Sequence, residues 1–427
     1  MIHPKWSYNA VIYEMNVRQL TPEGTLNAAQ KQLPLLRELG IDIIWLMPIY
    51  PIGEESRKGS LGSYYSIKDY CDVNPEMGDL AAFDAFLTQA HSLGLHVILD
   101  WVANHTARDA RWVSEKPQEW YERDEQGAPL VPWDWSDTAK LNYENHDVWQ
   151  GQIDAMKFWI ERGVDGFRCD MAMLVPIAFW QEVAETLHGL KPEVFMLAEA
   201  EQQDLFDRAF DCCYAWELHH IMVDVAKSVQ RADSIRDYLY RDLSKYPAWA
   251  MRMAFTSNHD ENSWQGCESE IFGQAEQIMR LLSFVAPYTM PLLYTGQEVG
   301  YDHPFDFFDK DNIPTESYTA NDTTEFYRQL INLKHSFSCL NAGERGGVWT
   351  TINNNAEDCL LVLVRENADD RVIVIMNLSP YTIECNYDTG IYAGDYLDGF
   401  TSESYHYPRY VNEYMDGWDY KVLTLKK

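Results

Sequence analysis

Apolar positions recur along most of the chain in two alternating rhythms. Short runs of consecutive apolar residues, such as IDIIWLMP at 41–48 and HVILDWV at 96–102, suit strands buried on both faces. Between them lie stretches whose apolar residues supply one helical face, as in Leu26, Leu33, Leu35, Leu36 and Leu39, which suits amphipathic helices. The spacing predicts strands over 10–18, 41–48, 96–102, 165–170, 194–200, 209–216, 252–258 and 291–295. Helices are predicted over 24–39, 79–93, 147–162, 176–189, 217–230, 274–286 and 322–337, with Gly40 closing the first. Strands separated throughout by helices mean a parallel sheet. A count of eight predicts an α/β fold of the (β/α)8 TIM-barrel type. No Gly-rich phosphate fingerprint follows the first strand, so an open dinucleotide-binding sheet loses support.

The rhythm breaks twice. From 106 to 146 Trp, Pro, Asp and Glu crowd together without periodicity, which predicts a small domain inserted after strand three. From about 340 the helical period disappears, and VWTTI, CLLVLVRE, RVIVIMNLS, TIECN and YKVLTL read as strands of an antiparallel β-sandwich. The expected division is a barrel over 1–105 and 147–338, an insertion over 106–146 and a C-terminal β domain over 339–427.

Charge narrows the partners. Asp and Glu number 66 against 34 Lys and Arg, a formal charge of -32, which repels nucleic acid and anionic membranes. A neutral substrate fits such a surface best. The stretch MIHPKWSYNA has no apolar run of signal-peptide length and no later run reaches a membrane span, so the sequence reads as that of a soluble, cytoplasmic protein. Its 8 cysteines show no CxxC spacing, which favours reduced thiols over a disulfide framework.

Reactive groups of a (β/α)8 barrel project from the C-terminal ends of its strands. Strand three ends in Asp100-Trp-Val-Ala-Asn104-His105, strand four in Arg168-Cys-Asp170, strand five in Glu199, and strand seven in Asn258-His259-Asp260. A lone Asp after a strand is usually a turn or cap residue. Several acids in one mouth repel one another unless something uses them. Carboxylates with an Arg suit glycosidic cleavage, which needs a nucleophile or base on one face of the sugar and a proton donor on the other. Arg168, two residues before Asp170 on the same strand face, can hold that carboxylate ionised.

DWVANH, GVDGFRCD, FMLAEA and FTSNHD, in that order and each on its expected strand, resemble the four sequence regions of glycoside hydrolase family 13, the α-amylase family. The resemblance implies that Asp170 is the nucleophile, Glu199 the general acid/base and Asp260 the transition-state stabiliser. It also implies substrate contacts from Arg168, His105 and His259. YSIKDY resembles the family stretch whose leading Tyr stacks under the cleaved sugar, which makes Tyr65 the platform. Trp112, Trp120, Trp133 and Trp135 in the insertion are candidate sugar-binding aromatics.

Two departures matter. Calcium-dependent relatives place a ligating Asp where TAKLN (138–142) has Lys140, a segment more like that of neopullulanase and cyclomaltodextrinase. An ammonium there opposes calcium, so no cofactor and no metal is expected, and Lys140 is expected to satisfy the Asn104 carboxamide oxygen instead; the alternative is a Lys140 turned to solvent, with calcium kept on Asn104 and other oxygens. After Asp170 the chain runs MAML, without the Lys-His pair many α-amylases use for reducing-end sugars. The function implied is a retaining hydrolase of α-1,4-glucosidic bonds in starch-derived glucans or maltooligosaccharides. The alternatives are a neopullulanase- or cyclomaltodextrinase-like hydrolase, a transglycosylase, or a silent binding subunit.

Overall fold

The computed structural model describes residues 3–427. Eight parallel strands close into a barrel: Ile12–Met15, Ile43–Leu46, His96–Val102, Gly166–Asp170, Phe195–Ala198, Cys212–Tyr214, Met251–Ala254 and Thr289–Tyr294. Each strand neighbours the next in sequence, and the eighth returns to the first. The register that places the chemistry pairs strand three with strand four, where Asp100 lies opposite Arg168 and Val102 opposite Asp170. Gly166 is required where strand four meets strand five, because a Cβ there would collide with the Phe195 carbonyl.

The helices start and stop for local reasons. Asp79 and Asn145 cap the helices Leu80–Ser92 and His146–Arg162 by accepting from Ala82 and Asp147 N–H groups. Gly40 and Gly163 end theirs in the left-handed conformation. The predicted strand over 10–18 is shorter than its apolar run: it ends at Met15, and Val17–Leu20 is a helical turn.

The chain forms two compact units. One comprises 12–214 with 1–5 and 294–320; the other comprises 215–293 and 321–427 with 6–11. Within the first unit, the insertion after strand three is a short antiparallel pair, His105–Ala107 with Thr138–Lys140, over a core of Trp120, Tyr121, Ala139, Leu141 and Val148. Within the second, the C-terminal segment is a six-stranded antiparallel sheet facing a two-stranded ribbon of Ile383–Asp388 and Tyr410–Met415. Val362, Val364, Ile373 and Ile375 of the sheet share a core with Cys385, Tyr387, Val411 and Met415 of the ribbon. Gly394–Asp398, Ser404–Tyr407 and Tyr410–Met415 are strands that the apolar pattern missed, because their residues are mostly polar or exposed. The cysteines are free thiols, and among the described residues no helix is long and apolar enough to cross a membrane.

Candidate active site

Arg168 is the centre of the first unit's cluster. It stands on strand four, fully buried, and its planar guanidinium donates to three neighbours and pairs with a fourth. Nη1 donates to Asp100 Oδ1 at 2.9 Å and to Asp170 Oδ1 at 3.0 Å. Nε donates to the Tyr214 hydroxyl at 3.0 Å. Nη2 lies 2.8 Å from Glu199 Oε2, close enough for an ion pair though not aligned as a hydrogen bond. Rings of Trp45, Tyr65 and Tyr214 surround the cation, with centroids 5.0, 5.8 and 5.5 Å away. Burial opposes the charge on Arg168, but the pull of Asp100 and Glu199 outweighs it and holds the pKa well above its ordinary value. The cation is permanent.

Asp170 and Glu199 therefore share one guanidinium. Asp170 is the last residue of strand four, and Glu199 directly follows strand five. Met171, next to Asp170, is held left-handed at φ 43°, and its N–H donates to Glu199 Oε2 at 2.8 Å. A non-glycine residue pays for that conformation, here in the turn that links the two carboxylates.

Asp100, quoted in the strand-three motif without a role, organises the opposite side. Besides Arg168 it accepts from Trp45 Nε1 at 3.2 Å and from the Tyr65 hydroxyl at 3.1 Å through Oδ2. The signal was available: a carboxylate inside the apolar run HVILDWV requires a buried partner, and the register supplies Arg168. Tyr214, at the end of strand six, had no comparable signal.

Tyr65 is anchored at its hydroxyl by Asp100 and stacks on Phe307 at 6.3 Å and 14°, which leaves a fixed aromatic plate beside Arg168. His105 is buried; desolvation takes its pKa down to about 4 despite a hydrogen bond to the Tyr65 backbone, so the ring is neutral at pH 7. Trp135 packs on His105 at 5.2 Å and Trp133 on Trp135 at 4.7 Å, with Trp133 62% exposed. These two indoles lead from the cluster to solvent. Trp120 does not: it is buried in the insertion's own core with Trp112 packed on it at 5.2 Å, which corrects its reading as a sugar-binding aromatic.

His259 and Asp260 belong to the second unit, in the loop after strand seven. Asn258 shapes that loop by accepting from the Asp260 and Glu261 N–H groups at 2.9 and 2.8 Å. His259 Nε2 lies 3.4 Å from Asp260 Oδ2, with the imidazole buried and the carboxylate partly exposed.

Lys140 differs from expectation. Its ammonium pairs with Glu122 at 2.9 Å at the surface, while the Asn104 carboxamide bonds the His105 ring at 3.2 Å. The strand register explains this: Lys140 lies opposite His105 across the insertion's hairpin, and its long stem carries the charge outward to water. Among the described residues no group of His, Cys, Asp and Glu has metal-site geometry.

Comparison with known proteins places this geometry. The chain is 27% identical to an α-amylase of Haloarcula japonica over 93% of its own length and 59% of that protein's. It is 25% identical to neopullulanase 2 of Thermoactinomyces vulgaris, over 88% of this chain and 70% of that one. The solved α-amylase of Lactobacillus plantarum superposes with a TM-score of 0.87 at 29% identity, covering 98% of this chain and 99% of the other. The α-amylase catalytic domain matches residues 7–136 and 116–336, most of the sequence, and the chain belongs to the α-amylase family, glycoside hydrolase family 13.

Proposed function

We propose that this protein hydrolyses α-1,4-glucosidic bonds of starch-derived glucans or maltooligosaccharides with retention of configuration. Asp170 acts as nucleophile, Glu199 as general acid/base and Asp260 as transition-state stabiliser. The observation that carries the reading is the single buried guanidinium shared by Asp170 and Glu199. Carboxylates on adjacent nitrogens of one Arg are near neighbours, which suits the roughly 5–5.5 Å spacing of a covalent mechanism better than the wider gap of inverting enzymes.

The charges then account for both steps. Before attack, the negative Asp170 beside Glu199 favours protonated Glu199, and Arg168 keeps Asp170 ionised. Glu199 protonates the leaving oxygen as Asp170 bonds the anomeric carbon. Once Asp170 is an ester its charge is gone, and Arg168 at 2.8 Å favours ionised Glu199, now a base for the incoming water. The neutral His105, together with His259, serves as a hydrogen-bonding group for sugar hydroxyls, and Tyr65 as the stacking plate. The 8 free thiols fit a reducing cytoplasm. We assign no metal to the reaction.

A second reading, action on cyclic or branched glucans, is favoured by the likeness to neopullulanase 2 and by MAML after Asp170. Incubation with starch, pullulan, cyclodextrin, maltotriose and sucrose, with products identified over time and the first anomer read by NMR, tests both. Release of the α anomer from an α-1,4 substrate is expected. Initial β anomer, or no cleavage of any α-1,4 substrate, refutes the proposal.

A further inference from the structure

Among the described residues two guanidinium groups are buried in the first unit, Arg168 and Arg18. Arg18 lies in the helical turn Val17–Leu20 that follows strand one, and only 3% of it is exposed. A buried Arg is normally paired with a carboxylate, because an isolated charge is costly to desolvate. No described carboxylate pairs with this one. Asp309 feels its charge but takes the Ser60 N–H at 2.8 Å instead.

The Arg18 N–H groups go to backbone carbonyls of two different loops. Nη1 donates to Gly62 O at 3.0 Å and to Phe307 O at 3.3 Å, and Nη2 to Leu61 O at 3.4 Å. Leu61 and Gly62 belong to the loop after strand two, Phe307 to the loop after strand eight. The neighbouring Gln19 holds the second loop as well, donating through Nε2 to Asp306 O at 2.9 Å and Asp309 O at 2.8 Å. A neutral amide has donors enough for one or two such carbonyls; the planar fork of an Arg reaches three at once. Its cation also lies over the Tyr64 ring, 4.0 Å from the centroid. Tyr64 meets Phe307 edge-on at 5.5 Å and 90°, and Phe307 is the ring on which Tyr65 stacks.

We infer that Arg18 is a positioning residue for substrate binding, which locks the two loops together so that Phe307 backs Tyr65; this rests on the reading of Tyr65 as the sugar plate. Asp100 holds the Tyr65 hydroxyl, and a ring held only at one end can still tilt. The second support, against its face, fixes the plane. Arg18 sets that support without touching the reacting groups: its hydrogen bonds reach none of Asp100, Asp170 and Glu199. A plate held in place before the sugar arrives spares the cost of ordering it on binding. The sugar meets the plate before and during the reaction, so a loosened plate weakens binding and leaves the chemical step nearly alone. This sets Arg18 apart from Arg168, whose fork acts on the carboxylates themselves.

The test reads the loops and the binding separately, on the whole protein. Arg18→Met keeps the apolar stem, removes the donors and strands no carboxylate, so the barrel should fold. If circular dichroism shows that it does not, Arg18→Lys, which keeps the charge but not the fork, takes its place. Hydrogen exchange read by mass spectrometry is expected to be at least about tenfold faster over 60–66 and 303–309, with the barrel strands unchanged. On the best-cleaved maltooligosaccharide KM should rise about tenfold while kcat stays within about threefold. Phe307→Leu should raise KM alike, and the double variant by no more than about twofold beyond it, because both act on one plate. Loops that exchange as in wild type, KM effects that multiply in the double variant, or a fall in kcat at constant KM each overturn the inference. An unchanged KM is decided by Tyr65→Ala: a KM raised by that variant alone overturns the role of Arg18, whereas a KM unmoved by either refutes the plate and the inference with it. If no maltooligosaccharide is cleaved, the proposed activity fails, and exchange still decides whether Arg18 holds the loops.

Discussion

Replacing Arg168 by Lys separates charge from geometry. The ammonium keeps one positive charge, but as a point on a flexible stem it cannot hold Asp100, Asp170 and Glu199 in the fixed directions of a planar fork. Two of those partners are the proposed reacting carboxylates, bonded at 3.0 Å and paired at 2.8 Å. A hydrogen bond to a charged group is worth about 1.5–3 kcal/mol. Losing the aligned bond to Asp170 therefore removes roughly 1.5–3 kcal/mol of transition-state stabilisation, or about 10–10² in turnover. Weaker support for ionised Asp170 should also move the acid limb of the pH–rate profile upward, a readout that damaged folding alone would not shift. Arg168→Met is a poorer probe, because uncompensated buried carboxylates cost about 3–5 kcal/mol of stability. The assay is kcat on a maltooligosaccharide from pH 4 to 9, with circular dichroism confirming the fold. Turnover within about threefold of wild type, with an unmoved acid limb, would refute the role given to the fork.

Glu199→Gln and Asp170→Asn should each lower turnover by about 10⁴, roughly 5–6 kcal/mol, and more than about a tenth of wild-type rate in either would contradict its role. Asp165 makes a stability prediction: although burial opposes its charge, bonds from His91 and His96 and the Lys191 ammonium hold its pKa below the usual carboxylate range. A depressed folded pKa means its contribution is full above the unfolded value of about 4 and fades as pH falls below it. Asp165→Asn should therefore melt lower than wild type at pH 7, with the gap closing under acid; a gap that is constant with pH refutes the linkage. EDTA should leave thermal midpoint and activity unchanged, and a loss restored only by calcium bound at Asn104 would overturn the metal-free proposal.

The barrel was readable because its strands are continuous apolar runs between helices with plain caps, and burial on both faces leaves such a run few other places. The proposed acids were readable for a related reason: they stand at strand ends, where the fold has no structural use for charge. What could not be read depends on register and side-chain reach. Asp100 and Tyr214 join the cluster only because neighbouring strands bring them level with Arg168. Lys140 was placed by sequence position, and the hairpin register carries its ammonium to Glu122. Trp120 and Trp133 share one irregular segment, and only packing distinguishes the indole in a core from the exposed one.

The cluster around Arg168 is also where the chain breaks its own folding rules most densely. One cation serves three carboxylates, so the group is net negative in a buried setting, which favours protonation or separation unless the surroundings over-determine it. Here they do: strand register holds Asp100 and Arg168 level, Tyr214 fixes Nε, and three aromatic rings enclose the guanidinium. Next to it Met171 keeps a left-handed backbone that costs of order 1–3 kcal/mol and that glycine would adopt freely. Its gain is an N–H aimed at Glu199. Other non-glycine residues with positive φ, such as Ser56, Ser228 and Ser402, stand in turns and loops where no carboxylate pair depends on them. Excess charge and backbone strain thus coincide at the end of strand four, and a fold selected for stability alone has no reason to put them together. This argues for a working site independently of the sequence motifs, since it rests on distances and dihedral angles.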